Sequence, residues 1–72
     1  MPLITKEVIE NSFTYHAPVG NQPERYVALR DKAKELALEI INKTPASREQ
    51  SLAITKLEEA IMWANKAIAC NE

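Results

Sequence analysis

Apolar residues recur at helical spacing along two stretches of the chain, and the spacing breaks where the prolines stand. In the first stretch Tyr26, Leu29, Ala33, Leu36, Ala37 and Ile40 form one stripe, which Leu38 and Ile41 widen towards its end. Side chains three and four positions apart share one face of a helix. Arg30, Asp31, Lys34 and Glu35 occupy much of the remaining surface. The stripe predicts a helix beginning at Pro23, because a missing N–H costs nothing at the first helical position. Glu24 then complements the positive end of the helix dipole. Asn42-Lys43-Thr44-Pro45 ends the helix, since Pro45 pushes Thr44 out of helical geometry.

The second stretch predicts a helix from about Ser47. Ser47-Arg48-Glu49-Gln50 places a glutamine three residues after a hydroxyl, the pattern of a reciprocal N-terminal cap. Ile54, Leu57, Ile61, Ala64 and Ile68 repeat in alternating steps of three and four, a two-position heptad seam. Ala53, Ala60, Trp63 and Ala67 form a second line beside it. Between positions 60 and 70 only Asn65 and Lys66 interrupt the apolar surface. A helix apolar on most faces is buried on most faces, and one partner helix cannot cover this one.

Residues 1–22 are less regular. Ile4, Val8 and Ile9 allow two helical turns with one apolar side. Residues 12–16, rich in aromatic and hydroxyl side chains, read as extended. Residues 17–22 read as a loop, because Pro18 and Gly20 resist helix continuation. The expected fold is therefore all-α: an N-terminal arm or short helix over 1–22, then a helical hairpin over 23–72, in a single domain.

Size changes this picture. A chain of 72 residues has a marginal core on its own, since a domain near this size buries only about 60% of its unfolded surface. Disulfides, a metal or oligomerisation usually make up the difference. Cys70 is the one cysteine and His16 the one histidine, so neither an internal disulfide nor a zinc site of four Cys and His ligands can be built. Homo-oligomerisation into a helical bundle is the remaining route. Nine basic and ten acidic residues leave a net charge of −1, without the basic excess of a duplex-DNA binder. No apolar run reaches the length of a membrane helix, and no signal-peptide pattern opens the chain. The free thiol fits a reducing compartment, so the expected location is the cytoplasm.

Catalysis has little to work with. A nucleophile needs a base within reach, and nothing local pairs Cys70 with His16. No glycine-rich phosphate loop, carboxylate cluster or metal spacing is present, and no cofactor is expected. Binding has better candidates. Tyr15 and His16 offer flat rings, which stack on any nucleobase; Phe13 and Tyr15 serve equally well as anchors of the arm on a neighbour. Arg30 and Lys34 project from one helix face and suit a phosphodiester, and a solvated face explains them too. Ser47 and Arg48 sit at a helix N-terminus, where free N–H groups favour anions; ordinary capping accounts for Ser47 as well. Trp63 reads first as core.

The run from Ser47 through Leu57-Glu58-Glu59-Ala60-Ile61-Met62-Trp63-Ala64-Asn65 resembles the helical hairpin of phage anti-CBASS protein 2, shared with Thoeris anti-defence protein 1. Phe13-Thr14-Tyr15-His16-Ala17-Pro18, followed by Glu24-Arg25-Tyr26 and Leu29-Arg30, is similar to the N-terminal part of the first family. Thoeris anti-defence protein 1 carries a further β-rich region not found in these residues. The resemblance implies a homohexameric sponge. It would sequester cyclic oligonucleotide messengers such as 3′,3′-cGAMP in the host cell cytoplasm, uncleaved, so that CBASS effectors stay inactive. It assigns Tyr15 to base stacking and Arg30 to the phosphates. At Cys70 the family commonly has an arginine associated with a separate cyclic-trinucleotide pocket, so binding of trinucleotides stays open. Two other readings remain beside the sponge: a structural helical oligomer or protein-interaction adaptor without a small ligand, and a small enzyme.

Overall fold

The computed structural model describes residues 4–72. Among them are three helices and no strand: α1 (Lys6–Ser12), α2 (Gln22–Lys43) and α3 (Arg48–Asn71). The first three residues of the expected arm lie outside the described residues.

The Thr5 hydroxyl caps α1, accepting from the Val8 N–H at 3.1 Å. At the other end the Phe13 N–H donates to the Ile9 carbonyl at 3.1 Å, and the Thr14 hydroxyl donates to the Glu10 carbonyl at 2.5 Å. The extended reading of residues 12–16 is corrected in part: Ser12 closes α1 and Phe13 caps it. Hydroxyl side chains read as strand formers can equally satisfy helix-end carbonyls, and here Thr14 does so. Regular structure then stops until Gly20, whose φ of 56° suits glycine because it has no Cβ to clash. That residue turns the chain, and the Gln22 N–H reaches the Val19 carbonyl at 3.0 Å.

α2 starts at Gln22, one position before the expected Pro23, which keeps its place in the first turn. Thr44 is extended ahead of Pro45 (φ −130°, ψ 151°), as the proline requires. A link this short, residues 44–47, forces α3 back antiparallel against α2. The reciprocal cap of α3 is only half formed. The Ser47 hydroxyl accepts from the Gln50 N–H at 3.1 Å. The Gln50 side chain turns the other way and donates to the Thr44 carbonyl at 3.1 Å and the Thr44 hydroxyl at 3.0 Å. It thereby ties the first turn of α3 to the end of α2.

Tyr26, Leu29, Ala33, Ala37 and Ile40 meet Ile54, Leu57, Ile61, Ala64 and Ile68 along the hairpin, and all are half-buried. Leu36 departs from the expected stripe and is exposed, as are Leu38 and Ile41, the residues expected to widen it. Among the described residues no hydrophobic side chain is buried, and Gln22 alone is, at 6% exposed. The reason is geometric. The molecule is 17 Å through its thinnest dimension, less than two stacked helices at about 10–12 Å each, so the flat faces of the hairpin stay largely uncovered. Ala53, Ala60, Trp63 and Ala67, the second line of α3, are exposed. No described helix is long and apolar enough to cross a membrane.

Candidate functional site

The six candidate residues fall into three places along the hairpin. Tyr15 and His16 lie at its open end, in a cleft of about 400 Å³ that they share with Pro18, Tyr26, Asn65, Lys66 and Ala69. Arg30 and Lys34 edge a groove of about 430 Å³ in the middle, floored by Ala33, Ala37, Ile54, Leu57 and Ile61. Ser47 and Arg48 lie at the closed end, roughly 26 Å from Asn65 at 1.5 Å per helical residue. A single chain therefore does not gather all six around one ligand.

The open-end cleft has the most varied chemistry. Tyr15 is 83% exposed, which leaves its side chain open to stacking. His16 is half-buried, with Nε2 at 2.8 Å from the Asn11 carbonyl, so one ring nitrogen already serves α1. Tyr26 supplies a second aromatic side chain. Asn65 Oδ1 is enclosed and has no hydrogen-bond partner among the described residues, an expensive condition for an acceptor. Lys66 is the one cation lining this cleft, and its Nζ also lies 5.5 Å from the centre of the Trp63 ring, within range of a cation–π attraction.

The middle groove lies in line with this cleft along the hairpin and shares no lining residue with it. Tyr26, Arg30, Ala33 and Ala37 follow one another at helical spacing on α2, and Ile61 and Asn65 do so on α3. Arg30 thus stands one turn, about 6 Å, beyond Tyr26. Neither Arg30 nor Lys34 forms an ion pair with a described residue, but Glu58 lines the same groove and opposes an anion there. At the closed end the Ser47 hydroxyl already serves the backbone: it accepts from the Gln50 N–H and donates its proton to the Pro45 carbonyl at 3.1 Å. Among the described residues no group of three or more His, Cys, Asp or Glu side chains could hold a metal ion.

Behind the cleft, polar contacts fix its walls. The Asn11 amide donates to the Cys70 carbonyl at 2.9 Å. Gln22 Oε1 accepts from the Val19 N–H at 3.0 Å, and its Nε2 donates to the Glu72 carboxylate at 3.2 Å. Both terminal nitrogens of Arg25 donate to the same carboxylate. The Arg25 guanidinium, with Gln22 second, lowers the Glu72 carboxyl to about 2, and Arg25 itself is raised by that contact.

The sequence matches the family model described as Acb2/Tad1, hairpin domain, over residues 5–69. The chain belongs to the Acb2/Tad1 hairpin family. The match includes α1 and the strap that carries Tyr15 as well as the two long helices, and the family is consistent with phage anti-defence. No curated protein and no solved structure matches the chain. Within this Acb2/Tad1 hairpin, spacing alone missed Tyr26, Asn65 and Lys66 as cleft residues. Tyr26 read as stripe, and Asn65 and Lys66 read as breaks in an apolar surface. Their helical register was available; the approach of the strap to them was not.

Proposed function

We propose that this hairpin binds and sequesters cyclic dinucleotides such as 3′,3′-cGAMP, without cleaving them, as a phage anti-defence protein acting in the host cytoplasm. The observation that carries the reading is the open-end cleft, occurring in a member of the Acb2/Tad1 hairpin family. It combines an exposed tyrosine for a nucleobase, a second aromatic wall and a lysine for phosphate. Its volume lies within the usual range of small-molecule sites. Tyr15 takes the base, and Lys66 and Arg30 face the phosphates.

The same proposal includes self-association, as a homohexamer, with the bare faces of the hairpin covered by further copies. The exposed Met62 and Trp63 support it, because contiguous apolar surface in a small protein favours burial against a partner. Copies brought together in this way can set the Tyr15 of one chain near the Arg30 of another.

Thermal melting with and without 3′,3′-cGAMP tests the binding. A ligand that binds only the folded state raises the midpoint by mass action. Recovery of intact nucleotide afterwards separates sequestration from hydrolysis. An unmoved midpoint across a panel of cyclic di- and trinucleotides would leave a structural oligomer or adaptor as the reading.

A further inference from the structure

The strap between α1 and α2, residues 13–21, is tied at both ends to the last turn of α3. At its start Asn11 holds the Cys70 carbonyl, and His16 reaches back to the Asn11 carbonyl. At its end Gln22 joins the Val19 N–H to Glu72, while Arg25 grips that carboxylate with both terminal nitrogens. Gln22 is 6% exposed, the most enclosed side chain among the described residues. Gln22, Arg25 and Glu72 do not line the Tyr15 cleft.

We propose that Gln22, Arg25 and Glu72 are positioning residues for the ligand site: a clasp that sets the strap so that Tyr15 and His16 face Tyr26 and Asn65 before any ligand arrives. The proposal rests on the nucleotide reading of the cleft. Its physical basis is the cost of order. An untied strap would lose backbone freedom on binding. A strap ordered during folding spares the ligand that cost, which is the advantage of preorganisation. A bidentate Arg–carboxylate pair suits this task because it fixes orientation as well as distance. The pair also offsets a local conflict, since a carboxylate at the C-terminal end of α3 opposes the helix dipole.

The test uses the full chain, with 3′,3′-cGAMP as probe. Glu72→Ala removes the clasp, Glu72→Gln keeps an acceptor for Gln22 without the charge, and Arg25→Glu with Glu72→Arg rebuilds the pair in reverse. Hydrogen exchange at the Val19 amide reports the strap without any ligand, and calorimetry reports binding. In Glu72→Ala the Val19 amide should exchange about tenfold faster, with seam amides such as Ile61 unchanged. Probe affinity should fall about tenfold, because a strap competent one time in ten binds ten times more weakly. The reversed pair should recover both only in part, because arginine at position 72 holds residue 25 but offers Gln22 Nε2 no acceptor. If Glu72→Ala fails to fold, Glu72→Gln should show the same changes in smaller measure. Unchanged Val19 exchange in the folded variants would overturn the clasp. Faster exchange with wild-type affinity would overturn the positioning role. A wild-type chain that ignores the probe would sink the nucleotide reading, and Val19 exchange would still decide whether the clasp orders the strap.

Discussion

Arg25 and Glu72 stand 47 positions apart and meet with two guanidinium nitrogens on the two carboxylate oxygens. The contact, with Gln22 second, lowers the Glu72 carboxyl from 4.5 to about 2. A carboxyl depressed in the folded state favours folding wherever it is ionised. That contribution is complete above the unfolded value of 4.5 and is lost as pH falls through about 2. Both partners are well exposed to solvent, with side chains 39% and 40% accessible, so salt weakens the effect. Wild type should therefore melt above Glu72→Gln at pH 7. The gap should narrow below the unfolded value and close near pH 2, as followed by circular dichroism. A gap that persisted unchanged in strong acid would show that the carboxylate charge is not what the pair contributes.

Ile61 sits half-buried in the seam between α2 and α3 and also floors the middle groove. Ile61→Ala should cost about 2 kcal/mol, at the low end for such truncations because the site is only half-covered. Ile61→Asp should do worse, since an unpaired charge is strongly unfavourable among apolar side chains. Helical signal and assembly should fall together in the aspartate variant, read by circular dichroism and light scattering. An intact oligomer with unchanged melting would place the seam elsewhere.

The Ser47 cap predicts a separation of stability from binding. Ser47→Ala removes the acceptor for the Gln50 N–H and should cost about 1 kcal/mol of stability, the usual worth of an N-cap. Because this hydroxyl is committed to Gln50 and Pro45, affinity for 3′,3′-cGAMP should hold at wild-type level. A calorimetric loss of binding at full occupancy of the folded state would return Ser47 to the ligand.

The two long helices were legible because their signals are local. The spacing of Leu29, Ala33, Ala37 and Ile40 against Ile54, Leu57, Ile61 and Ile68 needs no knowledge of distant residues. Pro23 and Pro45 mark ends by their own geometry. Thr5, which caps α1, is an equally local signal, but the spacing of Ile4, Val8 and Ile9 specifies only two turns there. The strap was beyond reach for a different reason. Asn11 and Cys70 are 59 positions apart, and pairings between single side chains at such separation leave no periodic trace. The same holds for the cleft. Spacing put Arg30 and Lys34 on one face correctly and drew attention to Tyr15. It could not place Tyr15 against Asn65 and Lys66, because that depends on how the strap folds back over α3.

The last prediction decides which cation meets the phosphates. Tyr15→Ala should weaken 3′,3′-cGAMP binding by about 1–3 kcal/mol, the range for base–aromatic stacking. Tyr15 is 83% exposed, so folding should be little affected. Lys66 lies in the same cleft as Tyr15, whereas Arg30 lies one turn further along α2, in a groove shared with Glu58. A cation that faces phosphate contributes a salt-dependent attraction, screened as ionic strength rises. Lys66→Ala and Arg30→Ala, each titrated at low and high salt, therefore separate two geometries. If the ligand lies within one hairpin, Lys66→Ala should weaken binding more and flatten its salt dependence, with Arg30→Ala close to wild type. If the pocket forms between copies, Arg30→Ala should carry a comparable loss. Full wild-type affinity and salt dependence in both variants would remove the phosphate role from each.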